Sequence, residues 1–199
     1  MIRLSPCPKL YSLDQDKAVS PDQTLAAVRA RLANLPLAIL SETRRIDLGR
    51  LDIPVYLSIV GHDAKAVMPT RKQMGKGATA AQAEASALME LMERYGFFTF
   101  WQNPQGAVRA TWSEAERLFG DALIPLEEVG KACHDNLDPV QIRRIMELRA
   151  WTFIPATRII DGSECYVPLD LFKQLGEFNG SSAGNTDVES LLQGACELV

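Results

Sequence analysis

Ser86, Glu90, Glu93 and Arg94 combine a hydroxyl, two carboxylates and a guanidinium within one short stretch. Each helical residue advances by about 100°, so with Ser86 at zero, Glu90 lies near about +40°, Glu93 near about −20° and Arg94 near about +80°. Leu88, Leu91, Met92 and Tyr95 fall on the opposite side, between about 140° and 240°. One face therefore carries the chemistry and the other can pack. Two carboxylates at i, i+3 are hard oxygen ligands suited to magnesium, and an arginine beside them suits phosphate. The plainer reading is a solvated charged face, in which Glu90 and Arg94 form a surface ion pair worth a few tenths of a kcal/mol, about 0.3.

A repeat weakens the plainer reading. Gly77, Thr79, Gln82, Glu90 and Leu91 recur as Gly184, Thr186, Glu189, Glu197 and Leu198 at one constant offset of 107 residues. Thr79-x-x-Gln82 and Thr186-x-x-Glu189 both read as capping boxes, each following a glycine-containing loop. Glu90 and Glu93 met by Glu189 and Glu197 from a second helix would make an oxygen-rich site, and magnesium at such a site generally arrives with phosphates. The second copy ends at Val199, before counterparts of Glu93 and Arg94, and reads as a helix cut short.

Gly75-Lys76-Gly77-Ala78-Thr79 reads as a basic, glycine-containing loop opening the first helix, where backbone N–H groups favour phosphate. It is not a Walker A motif. The other candidates are weaker. His62 and His134 are the only histidines, and His134 beside Cys133 reads as incidental rather than as a dyad. No serine has a G-x-S-x-G setting. Phe97, Phe98, Phe100 and Trp101 read most economically as a buried helix end, with the lining of a substrate groove as the alternative.

The elements that must position these residues follow from local signals. Ser20-Pro21-x-Gln23 starts a helix carrying Leu25, Val28, Leu32 and Leu35, which Pro36 ends. Pro54–Val60 reads as a strand, with Ala66–Pro69 continuing the sheet toward the glycine loop. The first repeat helix spans about Ala80 to Phe98, and short helices fill 113–148. A strand over 151–160 turns at Asp161-Gly162 into Tyr166-Val167, with Pro155 marking an edge or bulge. Intermixed strands and helices make the class α/β (α+β). The division expected is 1–110, a helical insertion over 111–150, and a second half opening over 151–199.

A chain of 199 residues, 47% hydrophobic, can bury a real core. The net charge of −4 provides no basic footprint for nucleic acid. The scattered Cys7, Cys133, Cys165 and Cys196 have no zinc spacing and read as reduced thiols of a cytoplasmic protein. No signal peptide or apolar run of about 18 residues is present, so no membrane partner is expected.

With these residues in place, the chain resembles the YcaO family, ATP-using enzymes that modify peptide backbone amides. The resemblance rests on Gly75-Lys76-Gly77-Ala78-Thr79 followed by Ser86-x-x-x-Glu90-x-x-Glu93-Arg94, and extends from about Lys9 to Val199. Asp16-Lys17-Ala18 before Ser20-Pro21, the strand from Ile53 and Gly184-Asn185-Thr186 fall in the family's order. It implies a fold of two related halves, sheets packed with helices, whose acidic helices sandwich ATP and its magnesium ions. By position, Lys17, Thr24, Lys76, Ser86 and Arg94 would bind ATP, and Glu90, Glu93, Glu189 and Glu197 would hold magnesium. The family's second motif, S-x-G-x-A-x-G, is altered: Phe178 stands for the serine and Ser182 for the alanine, while Gly180 and Gly184 are kept.

The resemblance implies ATP- and magnesium-dependent phosphorylation of a peptide amide oxygen, leading to an azoline, a thioamide or an amidine. The partners implied are a peptide or protein substrate and, in some members, a sulfur-transfer or substrate-docking protein. No residue is assigned as the nucleophile or otherwise as catalytic. Two alternatives stand beside this: an ATP-binding accessory factor for ribosomal-protein methylthiolation, and a fragment that is inactive or dependent on a partner chain. Leu191, Leu192, Ala195 and Leu198 form an apolar stripe expected to be exposed, which leaves self-association, including a homodimer, open.

Overall fold

The computed structural model describes residues 2, 4–9, 17–133, 137–176 and 179–199. His134, Phe178 and Asp16, singled out above, lie outside the described residues. In chain order the elements are α1 (Pro21–Ala33), β1 (Leu40–Arg45), β2 (Val55–Val60), β3 (Lys72–Lys76), α2 (Ala80–Gln102), β4 (Val108–Ala110), α3 (Trp112–Phe119), α4 (Leu126–Ala132), α5 (Pro139–Glu147), β5 (Trp151–Thr157), β6 (Glu164–Pro168), α6 (Leu169–Gly176) and α7 (Asp187–Glu197). The class is mixed α/β, with two antiparallel three-stranded sheets, β1-β2-β3 and β4-β5-β6.

Contacts divide the chain into two units, Leu4–Asn103 with Gly180–Val199, and Pro104–Asn179 with the first residues. The first unit contains α1, the β1-β2-β3 sheet, α2 and α7. Its core joins Leu25 of α1, Val60 of β2, and Ala85, Leu88 and Leu91 of α2 with Ile39, Ala64 and Met68. α1 begins as its residues dictate, with the Ser20 hydroxyl accepting from Gln23 N–H and Gln23 accepting from Ser20 N–H. It ends at Ala33, which leaves Leu35 outside the helix and exposed.

The seating of α2 on the sheet depends on small residues. Ala83, Ala85 and Ala87 are buried along it, and the buried Ser58 hydroxyl of β2 donates to Ala87 O at 2.7 Å. A Cβ on Gly75 would lie 2.1 Å from Ala87 N and 2.4 Å from Ala83 O, so only glycine permits this approach of β3 to the helix. Arg29 of α1 and Thr43 of β1 both donate to Glu84 and tie the outer end of this layer to α2.

Several local expectations change here. Gly75 and Lys76 are strand residues, paired with Tyr56 and Val55, rather than a free loop. Ala66–Pro69 is no strand: Ala64–Ala66 is a 3-10 turn and the third strand begins at Lys72. Arg94 lies 3.3 Å from Glu93 rather than in an ion pair with Glu90. The aromatic end of α2 is only half-buried, with Phe100 exposed and Phe97 against Phe98 and Trp101 at ring-centroid distances of 5.4 and 5.3 Å.

The second unit has its own core, built from Trp112, Val129, Ile142, Met146, Trp151, Phe153 and neighbouring residues of α3–α6 and its sheet. Trp151 Nε1 donates to Met146 O at 2.8 Å, and Phe119 stacks on Tyr166 at 3.9 Å. α3 is capped by Thr111 and Glu114, two residues before the expected start at Ser113. β5 is the central strand, not an edge, but β4 pairs with it only as far as Phe153. Pro155 lies beyond that point and needs no donor on that side.

These contacts predict opposite signs for two alanine substitutions in the first unit. Gly75→Ala should lower unfolding free energy by about 2–3 kcal/mol through overpacking against the α2 backbone. Gly96→Ala, on α2 where an added Cβ meets nothing within 4 Å, should raise it by up to about 1 kcal/mol. Urea denaturation of both variants reads the difference.

Candidate functional site

The two repeated helix starts are built alike. Thr79 and Thr186 are N-caps with extended backbones (φ −124°, ψ 160° and φ −136°, ψ 161°), and each hydroxyl accepts from the N–H three residues on, at 3.2 Å. The reciprocal bond does not close on the cap as in a standard capping box. It reaches one residue further back: Gln82 Oε1 accepts from Ala78 N–H at 2.7 Å, and Glu189 Oε1 from Asn185 N–H at 3.2 Å. The preceding glycines are also equivalent. A Cβ on Gly77 would lie 2.7 Å from Ala83 N, and one on Gly184 would lie 2.5 Å from Ser190 N. The repeat is thus one supersecondary device used twice, a glycine folded onto the first turn of the helix that it introduces.

A cavity of about 580 Å³ lies within the first unit, in the size range of small-molecule sites. Gln82, Ser86, Glu90, Glu93 and Arg94 line it from α2, and Glu189, Gln193 and Glu197 from α7. The two helices contribute i, i+4, i+8 rows at equivalent positions: Gln82, Ser86 and Glu90 on one, Glu189, Gln193 and Glu197 on the other. Lys17, Pro21, Thr24 and Lys76 add to the lining. All nine residues singled out from sequence, Lys17, Thr24, Lys76, Ser86, Glu90, Glu93, Arg94, Glu189 and Glu197, face this one cavity. Asn185 and Gln193 also line it and were missed, although the offset that pairs Glu90 with Glu197 pairs Ser86 with Gln193.

The altered second motif is structurally intact where it is described. Gly180 takes φ +82°, and its carbonyl packs so close to Gly194 that a Cβ there would come within 2.5 Å of it. Ser182 holds the loop to α7, its hydroxyl 2.5 Å from Ser190 O, while the Ser190 hydroxyl donates back to Ser182 O at 3.0 Å.

Electrostatics sets the character of the cavity. Burial pushes the Glu93 carboxyl above its usual range. Arg94 opposes the rise, Glu197 and Glu90 add to it, and a hydrogen bond with Ser181 holds it down. Carboxylates from both helices therefore sense one another across the cavity. Four carboxylates and three cationic side chains line it, Lys17 lying 4.0 Å from Glu189. Among the described residues, no three Asp, Glu, His or Cys side chains converge on one ion-sized point. The donors thus do not form a complete protein cage. They fit magnesium, which takes one or two carboxylates and completes its octahedron with water and phosphate oxygens.

Residues 74–199 match the family model described as YcaO cyclodehydratase, ATP- and Mg2+-binding. The chain belongs to the YcaO family. ATP and magnesium are accordingly the cofactors of its family. Over 157 residues, 62% of this chain and 24% of the other, it is 30% identical to the ribosomal protein S12 methylthiotransferase accessory factor YcaO of Escherichia coli K12. The fold is shared with a heterocyclase solved with substrate and cofactor (TM-score 0.66, 22% identity, 99% of this chain and 29% of the other). It is also shared with YcaO from Methanopyrus kandleri bound with AMPPCP and Mg2+ (TM-score 0.58, 21% identity, 96% and 45%). The chain spans between 24% and 42% of the length of the curated relatives it matches.

The raised Glu93 pKa has a sign that can be tested. Because the folded state holds this proton more tightly than the unfolded state, ionised Glu93 costs stability above the raised pKa. That cost fades as pH falls through it and vanishes below the ordinary glutamate pKa. Glu93→Gln should therefore raise the Tm of the nucleotide-free protein at pH 7, with the gain shrinking toward zero by about pH 4, near that ordinary value. Thermal melts of both proteins across pH check this; a gain independent of pH would contradict it.

Proposed function

We propose that this chain forms an ATP- and magnesium-binding site of a YcaO-type activity that activates a peptide backbone amide by O-phosphorylation. The observation that carries the proposal is the meeting of equivalent rows from α2 and α7 on one cavity, with mutually repelling carboxylates beside Lys17, Lys76 and Arg94. Bound ATP would supply the phosphoryl group that turns the amide oxygen into a leaving group. The chain's own residues would bind and orient. Glu90, Glu93 and Glu197 present oxygens for magnesium. Arg94, Lys76 and Lys17 offset phosphate charge, and Thr24 and Ser86 offer hydroxyls to the nucleotide. Such positioning and charge neutralisation are what phosphoryl transfer requires.

The substrate in this reading is a peptide or protein, as a substrate-bound heterocyclase of the same fold suggests. Attack of a nucleophile on the activated amide carbon and loss of phosphate would give an azoline, a thioamide or an amidine. The thioamide route calls for an external sulfur donor and, in some members, a partner protein. A cytoplasmic setting suits ATP chemistry; no described helix is long and apolar enough to cross a membrane. A second reading, supported by the similarity to the S12 methylthiotransferase accessory factor, is an ATP-binding role in aid of another enzyme. It keeps the same cavity and drops the requirement for a peptide modified by this protein.

Titration calorimetry with ATP and Mg2+ tests the shared core of both readings. It should be run on this chain and on any longer product of its reading frame. Binding that depends on magnesium and weakens at least tenfold in Glu90→Ala is expected. Its absence from every product, or its persistence unchanged in Glu90→Ala, would overturn the proposal. Mass loss of 18 Da from a peptide, about the mass of one water, would then separate cyclodehydration from the accessory role.

A further inference from the structure

Glu189 behaves unlike the other carboxylates of the cavity. Its side chain is 10% exposed and both oxygens are already engaged. Oε2 accepts from Ala18 N–H at 3.0 Å, Oε1 from Asn185 N–H at 3.2 Å, and the Asn185 side-chain amide reaches both oxygens at 3.0 and 3.3 Å. Lys17 Nζ lies 4.0 Å from Oε1. Asn185 Oδ1 in turn accepts from the Thr24 hydroxyl at 2.8 Å, and Thr24 is buried on α1. A carboxylate offers about four lone-pair sites, and three N–H groups occupy most of them here. Gln82, the equivalent residue on α2, makes the bond to its own helix start at Ala78 but, among the described residues, none to the 17–24 segment. The extra bonds of Glu189 all lead toward that segment.

We infer that Glu189 is a positioning residue rather than a magnesium ligand: it clamps the Lys17–Ala18 segment, and through Asn185 the Thr24 hydroxyl, to the start of α7. The clamp revises the expectation from sequence that Glu189 holds metal. Its consequence for nucleotide binding rests on the function proposed above. Lys17 and Thr24 reach the cavity because two backbone N–H groups and one amide are tied to a single carboxylate. Recruiting Glu189 to magnesium would strip acceptors from Ala18 and Asn185 and loosen both.

The test is amide hydrogen exchange in the nucleotide-free chain, resolved at Ala18 and Asn185, for wild type, Glu189→Ala and Glu189→Gln. Glutamine fills the same volume but can satisfy Ala18 or Asn185, not both, so it reports the clamp even if alanine impairs folding. About tenfold faster exchange at one or both amides is expected, the scale of one lost charge-assisted hydrogen bond, with core amides of α2 unchanged. Calorimetry on the same variants should show about tenfold weaker ATP binding with an unaltered Mg2+ half-saturation at saturating ATP. Unchanged exchange, or a shift in magnesium half-saturation alone, would overturn the inference. Faster exchange in a chain that binds no ATP would sink the nucleotide reading and leave the clamp standing.

Discussion

Carboxylates that repel one another across a cavity must be held there by something stronger than their repulsion. Glu93 is pushed toward its neutral form by burial, with Glu90 and Glu197 adding to the effect. This destabilisation is tolerated because α2 is fixed on its other face, where Leu88 and Leu91 are fully buried and Gly75 lets the sheet approach the helix backbone. The apolar stripe and the charged face are thus two halves of one arrangement. Packing on one side supplies the free energy that crowding of like charge on the other side consumes.

The two helices share a start but not a support. Gly77 and Gly184 fold onto equivalent turns, and Thr79 and Thr186 cap in the same geometry. Beyond the first turn they diverge. α2 buries five residues, Ala83, Ala85, Ala87, Leu88 and Leu91, whereas Gly194 is the buried residue of α7, with Leu192, Ala195 and Leu198 exposed and Leu191 half-buried. What locates α7 is polar and local: the Ser182–Ser190 bonds, the contact of Gly194 with the Gly180 carbonyl, and the Glu189 network. A helix held in this manner depends far more on individual hydrogen bonds than one buried by area, so its first-turn residues are constrained twice, by capping and by anchoring.

Much of this was legible in the sequence because its signals are local. Caps, prolines and the 107-residue offset fix the helix starts of α1, α2 and α7, and the residue types on one helical face name the cavity lining. The failures are equally physical. β1 reads Leu-Ser-Glu-Thr-Arg-Arg, polar on both faces, because its pairing with β2 is a backbone matter that leaves little side-chain pattern. Gly75 and Lys76 resemble a loop because glycine marks turns more often than strands, yet here glycine is present for the helix above it. The plainer, solvated-face reading pairs Arg94 with Glu90 by i, i+4 spacing, whereas the structure brings it near the adjacent Glu93. The double duty of Glu189 could not be read at all, since its partners Ala18 and Lys17 lie 171 residues or more away in the chain.

The cavity's incompleteness as a metal site bears on how its proposed ligands would bind. With no convergent cage among the described residues, magnesium alone would gain too few oxygens to offset its reluctance to shed water. ATP alone would bring its phosphates against Glu90, Glu93 and Glu197. Each ligand removes the other's penalty: the cation screens carboxylate from phosphate, and the phosphates complete the cation's shell. Under the proposed function the two must therefore bind with strong positive coupling, and by linkage the factor by which magnesium tightens ATP is the factor by which ATP tightens magnesium. A preformed metal cage would lose that coupling, because it would bind the cation whether or not the nucleotide were present. An array of carboxylates that repel one another without closing on an ion makes occupancy by either ligand conditional on the other.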